Sequence, residues 1–152
     1  MATINVYTRV IATVNGVDYK FGDQVTPATI TAAGNDVYEV MQTVATETTV
    51  TLFTSGTDLD DFDFGIIAVD QDCTLELVTD SGDAVGIEQY TIGLKGSGTT
   101  GTWGVPFILA TDDSYANYTI NFGGGTLDNI DIIRVRNLSS TTTAQVRALL
   151  FT

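Results

Sequence analysis

The chain has 152 residues, of which 43% are hydrophobic and only 16% charged, a composition that folds rather than staying disordered. Six Lys and Arg face nineteen Asp and Glu, giving a formal net charge of −13. A field of that sign repels phosphate backbones and anionic bilayers, so nucleic acid and membrane surfaces are excluded as main partners.

One domain of this length buries roughly 70% of the surface its unfolded chain would expose, so it needs neither a disulfide nor a metal to fold. Cys73 is the only cysteine, which rules out an internal disulfide. It sits beside an alternating stretch, Thr74-Leu-Glu-Leu-Val, and reads as a buried strand thiol, because no histidine exists to activate it. The start, Met-Ala-Thr-Ile-Asn-Val, lacks the basic and apolar regions of a secretory signal. No apolar stretch approaches the roughly 20 residues that a membrane span needs. Synthesis in a cytoplasm is therefore expected, and the sequons at Asn117 and Asn137 read as accidental.

In chain order, Ile4, Val6, Val10, Ala12 and Val14 alternate with Thr3, Asn5, Tyr7, Arg9 and Thr13, which predicts a half-buried strand with Thr8 as a polar break. Asn15-Gly16 supplies a two-residue hairpin turn, and Val17, Tyr19 and Phe21 form the returning strand. Thr26-Pro27 resembles a helix start, but the β-branched run Ala28-Thr-Ile-Thr allows at most one helical turn. Strands are predicted over 36–44, 48–54, 62–69, 74–79, 88–94, 105–110, 115–122, 130–136 and 144–151. Threonine, frequent throughout, favours a pleated surface. With turn signals every 8 to 12 residues or so, the pattern predicts about nine or ten strands in one antiparallel β-sandwich domain over 1–152.

The chemistry-bearing motifs are few. The absence of histidine removes Ser-His-Asp and Cys-His catalysis and imidazole metal sites. Gly96-Ser-Gly-Thr-Thr-Gly101 spells a dinucleotide fingerprint, yet Thr102-Trp-Gly-Val-Pro106 follows and cannot open the helix that would hold a pyrophosphate. It reads as a flexible, exposed loop. An EF-hand beginning at Asp58 would put Phe62 and Asp63 where a ligand and a glycine are required. A looser calcium site from Asp58, Asp60, Asp61 and Asp63 with Asp70, Asp72 or Asp83 stands as the lesser alternative to a solvated acidic loop. Glycoside hydrolysis needs two carboxyls converging in an aromatic-lined cleft. Here the acids concentrate in turns and Trp103 is the only tryptophan, so no catalytic residue, cofactor or metal site is assigned.

Four residues are candidates for an interface. Trp103, between Gly101 and Gly104, either folds back on the core or anchors a contact. Arg134 and Arg136 share one face of a late strand and Arg147 lies on the next, so half the basic residues sit near the carboxy terminus. They pair with neighbours such as Asp128 and Asp131, or meet an acidic partner or another copy of the chain.

The carboxy-terminal stretch from Ile132 to Thr152, the Thr- and Gly-rich loops, the acidity and the lack of histidine resemble small β-sandwich proteins of tailed-bacteriophage virions, the head decoration (cement) proteins. That resemblance implies a jelly-roll-like sandwich on the outer capsid surface, made in the host cytoplasm, often a homotrimer, bound to the major capsid protein. The expected function is a non-enzymatic virion structural protein. The alternatives are a carbohydrate- or receptor-binding domain of a phage tail or fibre, with Trp103 or Tyr115 as sugar platform, and a carboxylate-based glycoside hydrolase.

Overall fold

The structure, a computed structural model, describes residues 3–7, 10–21, 28–31, 36–59, 62, 64–79, 88–110 and 130–152. Among them are twelve β-strands and no helix, every strand pair antiparallel. The chain divides into two compact units, Met1–Asn35 and Asp36–Thr152.

The first unit holds two small sheets. β1 (Thr3–Val6) pairs with β4 (Ala28–Thr31), and β2 (Val10–Val14) with β3 (Val17–Phe21). The expected hairpin is present: Val14 opposes Val17, and Asn15 and Gly16 adopt φ of 51° and 79°, the left-handed pair that a two-residue turn demands. Three details differ from expectation. The one strand expected from Thr3 to Val14 is two, β1 and β2, which belong to different sheets. The segment allowed one turn of helix is strand β4, as its β-branched residues favour. Ala12, placed by the alternation on the inner face, is exposed.

The second unit is an antiparallel β-sandwich, which the alternation pattern alone would spread over the whole chain. Its strands are β5 (Val37–Val44), β6 (Thr49–Thr54), β7 (Phe64–Val69), β8 (Cys73–Thr79), β9 (Glu88–Leu94), β10 (Phe107–Ala110), β11 (Ile130–Asn137) and β12 (Ala144–Phe151). The predicted strand at 115–122 lies outside the described residues. Sheet one has the order β10-β7-β12-β5 and sheet two the order β6-β11-β8-β9. Among the described strands of this unit, successive ones therefore change sheet at every step but one, and β8–β9 is the single sequential pair.

Alternation sets the core. In β12, Ala144, Val146, Ala148 and Leu150 are buried while Gln145, Arg147, Leu149 and Phe151 face outward. From sheet two, Leu75, Leu77, Ile133 and Val135 meet them in one continuous cluster. β6 breaks strict alternation. Thr51 opposes Arg134 and Phe53 opposes Ile133, so Leu52 is the extra residue of a β-bulge and both Leu52 and Phe53 turn inward. Phe53 then packs edge-on against Phe62, with centroids 5.3 Å apart, and against Tyr38 at 6.4 Å.

Phe53→Ala should cost about 3–5 kcal/mol of unfolding free energy, because the ring is fully enclosed between the sheets. The shift of the denaturant midpoint at constant slope measures it.

Candidate functional site

The loop between β9 and β10, 95–106, is built around a buried carboxylate. Asp70, fully buried, follows directly on β7. Its Oδ1 accepts the Gln145 N–H at 2.7 Å and its Oδ2 the Gly101 N–H at 2.8 Å. Its backbone carbonyl accepts from Gly98 N at 2.9 Å, and Val69 O accepts from Gly104 N at 2.8 Å. Nearby, Asp72 accepts from Gly96 N at 3.1 Å and from Lys95 Nζ at 2.5 Å, and these contacts hold its carboxyl below the usual range, the Lys95 hydrogen bond first. Within the loop, Ser97 Oγ accepts from Thr99 N and donates to Thr102 O.

Glycine is required here for space as well as for backbone freedom. A Cβ on Gly96 would collide with the Gln71 backbone, and one on Gly104 with Lys95 O. The Gly96–Gly101 run, expected from sequence to be a flexible loop, is exposed over 97–102 but tied at several points. Strand β10 follows it, so the dinucleotide spelling meets no helix N-terminus.

This fastened loop carries Trp103 onto the outer face of sheet one. Half-buried there, outside the core cluster, Trp103 joins Gly104, Pro106, Ile66, Ala68, Leu149 and Arg147 around a depression of about 180 Å3. Arg147 donates from Nε and Nη2 to Glu39 Oε1 of β5, at 2.9 and 2.7 Å. Ile108 lies opposite Ile66, and the rings of Phe64 and Phe151 sit 6.3 Å apart on the same face. Met41 and Val37 of β5 are exposed there, at 62% and 50%.

Sheet two turns a different face outward. Thr51, Arg134, Glu76 and Thr91 form one row across its four strands, and Thr49, Arg136 and Thr74 the next. Arg134 Nη1 reaches Glu76 Oε2 at 3.3 Å. A groove of about 270 Å3 runs here between Thr49, Thr74, Glu76, Gln89, Thr91 and Arg136.

The four candidate residues are thus split. Trp103 and Arg147 share a depression on sheet one, while Arg134 and Arg136 lie on sheet two, because β11 and β12 are consecutive strands of different sheets. Arg134 and Arg147 pair across strands with Glu76 and Glu39, in place of the aspartates expected from proximity in sequence; Asp128 lies outside the described residues.

The structural roles of two residues are missed by sequence reasoning, which offers Asp70 as a calcium ligand and Asn137 as an accidental sequon. Asn137 is fully buried: its Nδ2 donates to Val44 O and Thr142 O, and its Oδ1 accepts from Ser139 N. A lone polar residue directly at a strand end is the available signal. Asp60, Asp61, Asp63 and Asp83 lie outside the described residues, and among the described residues no three acidic or sulfur groups converge to hold a metal. Cys73 is buried, and desolvation, then Asp70 and Asp72, push its thiol up to about 11.

The chain matches no protein-family model, and a search of the curated proteins finds no relative.

Asp70→Asn replaces one acceptor by a donor facing a backbone N–H. It should cost about 1–3 kcal/mol and speed hydrogen exchange at Gly101 and Gln145, as read by NMR. Cys73 has a folded pKa raised above its unfolded value. Its contribution is therefore intact below pH 9.0 and lost as pH rises to about 11. Denaturant midpoints across that window should fall, and should fall less in Cys73→Ala. In the native protein at neutral pH, the thiol should not react with a disulfide reagent.

Proposed function

We propose that the chain is a non-enzymatic virion structural protein, a decoration or cement protein that binds the outer surface of the major capsid shell and stabilises it. The observation that carries this reading is the outer face of sheet one. A sandwich sheet ordinarily turns polar side chains to water on its outer side. Sheet two does so, with threonines, Glu76 and two arginines. Sheet one instead sets the half-exposed Ile66, Ala68 and Leu149 beside Trp103, with Met41 and Val37 exposed on β5, and among the described residues its charged groups are the paired Arg147 and Glu39. Partly exposed apolar side chains gathered around an aromatic anchor suit a protein–protein contact.

The strand orders support the finer fold assignment. Counted from β5 as the first of eight, sheet one reads 6-3-8-1 and sheet two 2-7-4-5, the arrangement of a jelly roll wound from two Greek keys. The net charge of −13 suits a particle surface, where it opposes aggregation and adhesion to nucleic acid. Partners on this reading are the major capsid protein and further copies of the chain, on the outer capsid after synthesis in the host cytoplasm.

A second reading, a carbohydrate- or receptor-binding domain, is favoured by the polar groove on sheet two, whose hydroxyl, amide and guanidinium groups match a polyol. A hydrolase reading finds less support: among the described residues, Glu76 is the only carboxylate that lines that groove.

Purified protein added to capsids that lack it should restore their resistance to heat. Trp103→Ala, folded by circular dichroism, should bind about 30-fold or more weakly, the loss of a hot-spot aromatic. No binding at saturating protein overturns the capsid reading. Glycan binding that is lost in Arg136→Ala establishes the second one.

A further inference from the structure

A sheet edge is a row of unused N–H and C=O groups, and folded proteins blunt such edges with bulges, Pro, Lys or short strands. Among the described residues the sandwich has four edge strands, β10, β5, β6 and β9. β10 has four residues and follows Pro106 directly. β6 carries the bulge at Leu52. β9 includes Gly93, which weakens a strand. β5 has no bulge, Pro, Gly or Lys, and its one charge, Glu39, is paired with Arg147: its eight residues, Val-Tyr-Glu-Val-Met-Gln-Thr-Val, pair with β12 in unbroken register from Val37 to Val44.

Charge narrows the occupant of that edge. Two copies of a −13 chain repel wherever acidic surface meets acidic surface. Glu39 is the only charged residue of β5, and Arg147 matches it at 2.7 Å. The long, unblunted edge is thus also locally neutral, and it displays Met41 and Val37 half-exposed or more.

We propose that β5 pairs antiparallel with β5 of a second copy, about a two-fold axis normal to the sheet and passing midway between Met41 and its twin. Opposed residues in an antiparallel pair face the same side, so outward residues must meet outward residues. Centring on Glu39 would set two carboxylates directly opposite each other, which is destabilising. Centring on Met41 places it against its twin and sets Glu39 opposite Thr43 and Val37 opposite Ala45. Sheet one then continues as a single eight-stranded sheet through both copies. The contact is isologous and small, so it is weak in dilute solution. Its symmetry is two-fold, unlike the trimer implied by the resemblance, and it stands on the edge alone, without the capsid reading.

Sedimentation of the full chain should show mass rising with concentration from 16.2 kDa toward twice that value. Met41→Lys, at an exposed position, should hold it at the monomer mass at the same concentrations with unchanged circular dichroism. Under oxidised glutathione, Met41→Cys should give a covalent dimer, because directly opposed Cα atoms, about 4.5–5.5 Å apart, fall within disulfide reach. Glu39→Cys should not, since its partner position is Thr43. Cys73, buried and with a raised pKa, does not compete. A wild-type mass fixed at 16.2 kDa overturns the proposal, and is the result that coverage of this edge by another segment of the chain would give. Self-association that survives Met41→Lys overturns it too, as does Glu39→Cys cross-linking as readily as Met41→Cys.

Discussion

In the second unit, nearly every connection carries the chain from one sheet to the other, and the core exists only because those crossings bring two alternating faces together. β12, the last strand, is the most constrained element. It lies between β7 and β5 in sheet one, so that sheet cannot close until the end of the chain is in place. Only β8 and β9 find each other locally. Most stabilising contacts therefore join residues distant in sequence, which makes such a fold slow to form and cooperative once formed. Leu52 and Phe53, adjacent and both buried, show how tightly the space between the sheets is filled: a bulge is tolerated in β6 so that both can contribute.

At one end of the sandwich, polar contacts take over from apolar packing. Burying a carboxylate is costly unless hydrogen bonds replace its water. Asp70 meets that condition with two backbone N–H groups, one from β12 and one from the glycine loop. A strand end, the last strand's start and the loop are thereby joined at one side chain. Asn137 does the same for the turn between β11 and β12. The position of Trp103 follows from this. Its loop has few apolar anchors of its own, and the geometry of Gly96, Gly101 and Gly104 against fixed backbone decides where the indole comes to rest.

The hairpin at Asn15-Gly16, the strand alternation and the sandwich class are legible in the sequence, because each depends on neighbours two residues apart or on a turn requiring left-handed φ. Strand partners are not. The grouping of Arg134, Arg136 and Arg147 fails because adjacency along the chain does not survive a crossing between sheets. The glycine loop misleads in a related way: glycine reports conformational freedom, but whether that freedom is used for motion or for close approach is decided by Gln71 and Lys95, residues it meets only after folding. The buried role of Asp70 escapes notice since an aspartate between two strands is ordinary until the chain folds over it.

The contrast between the two outer faces gains meaning when set beside the geometry of the proposed pairing. A two-fold axis normal to sheet one leaves both copies of its apolar face pointing the same way, so a dimer would offer two Trp103 depressions to one flat partner. Neither contact need be strong. A small edge pairing that is marginal in solution becomes effective once both copies are held on the same surface, since the second contact then forms at high effective concentration. An acidic chain with a neutral edge and one apolar face can stay dispersed when free and still assemble on a partner, because −13 charges oppose every random encounter while these two surfaces, nearly empty of net charge, are spared that opposition.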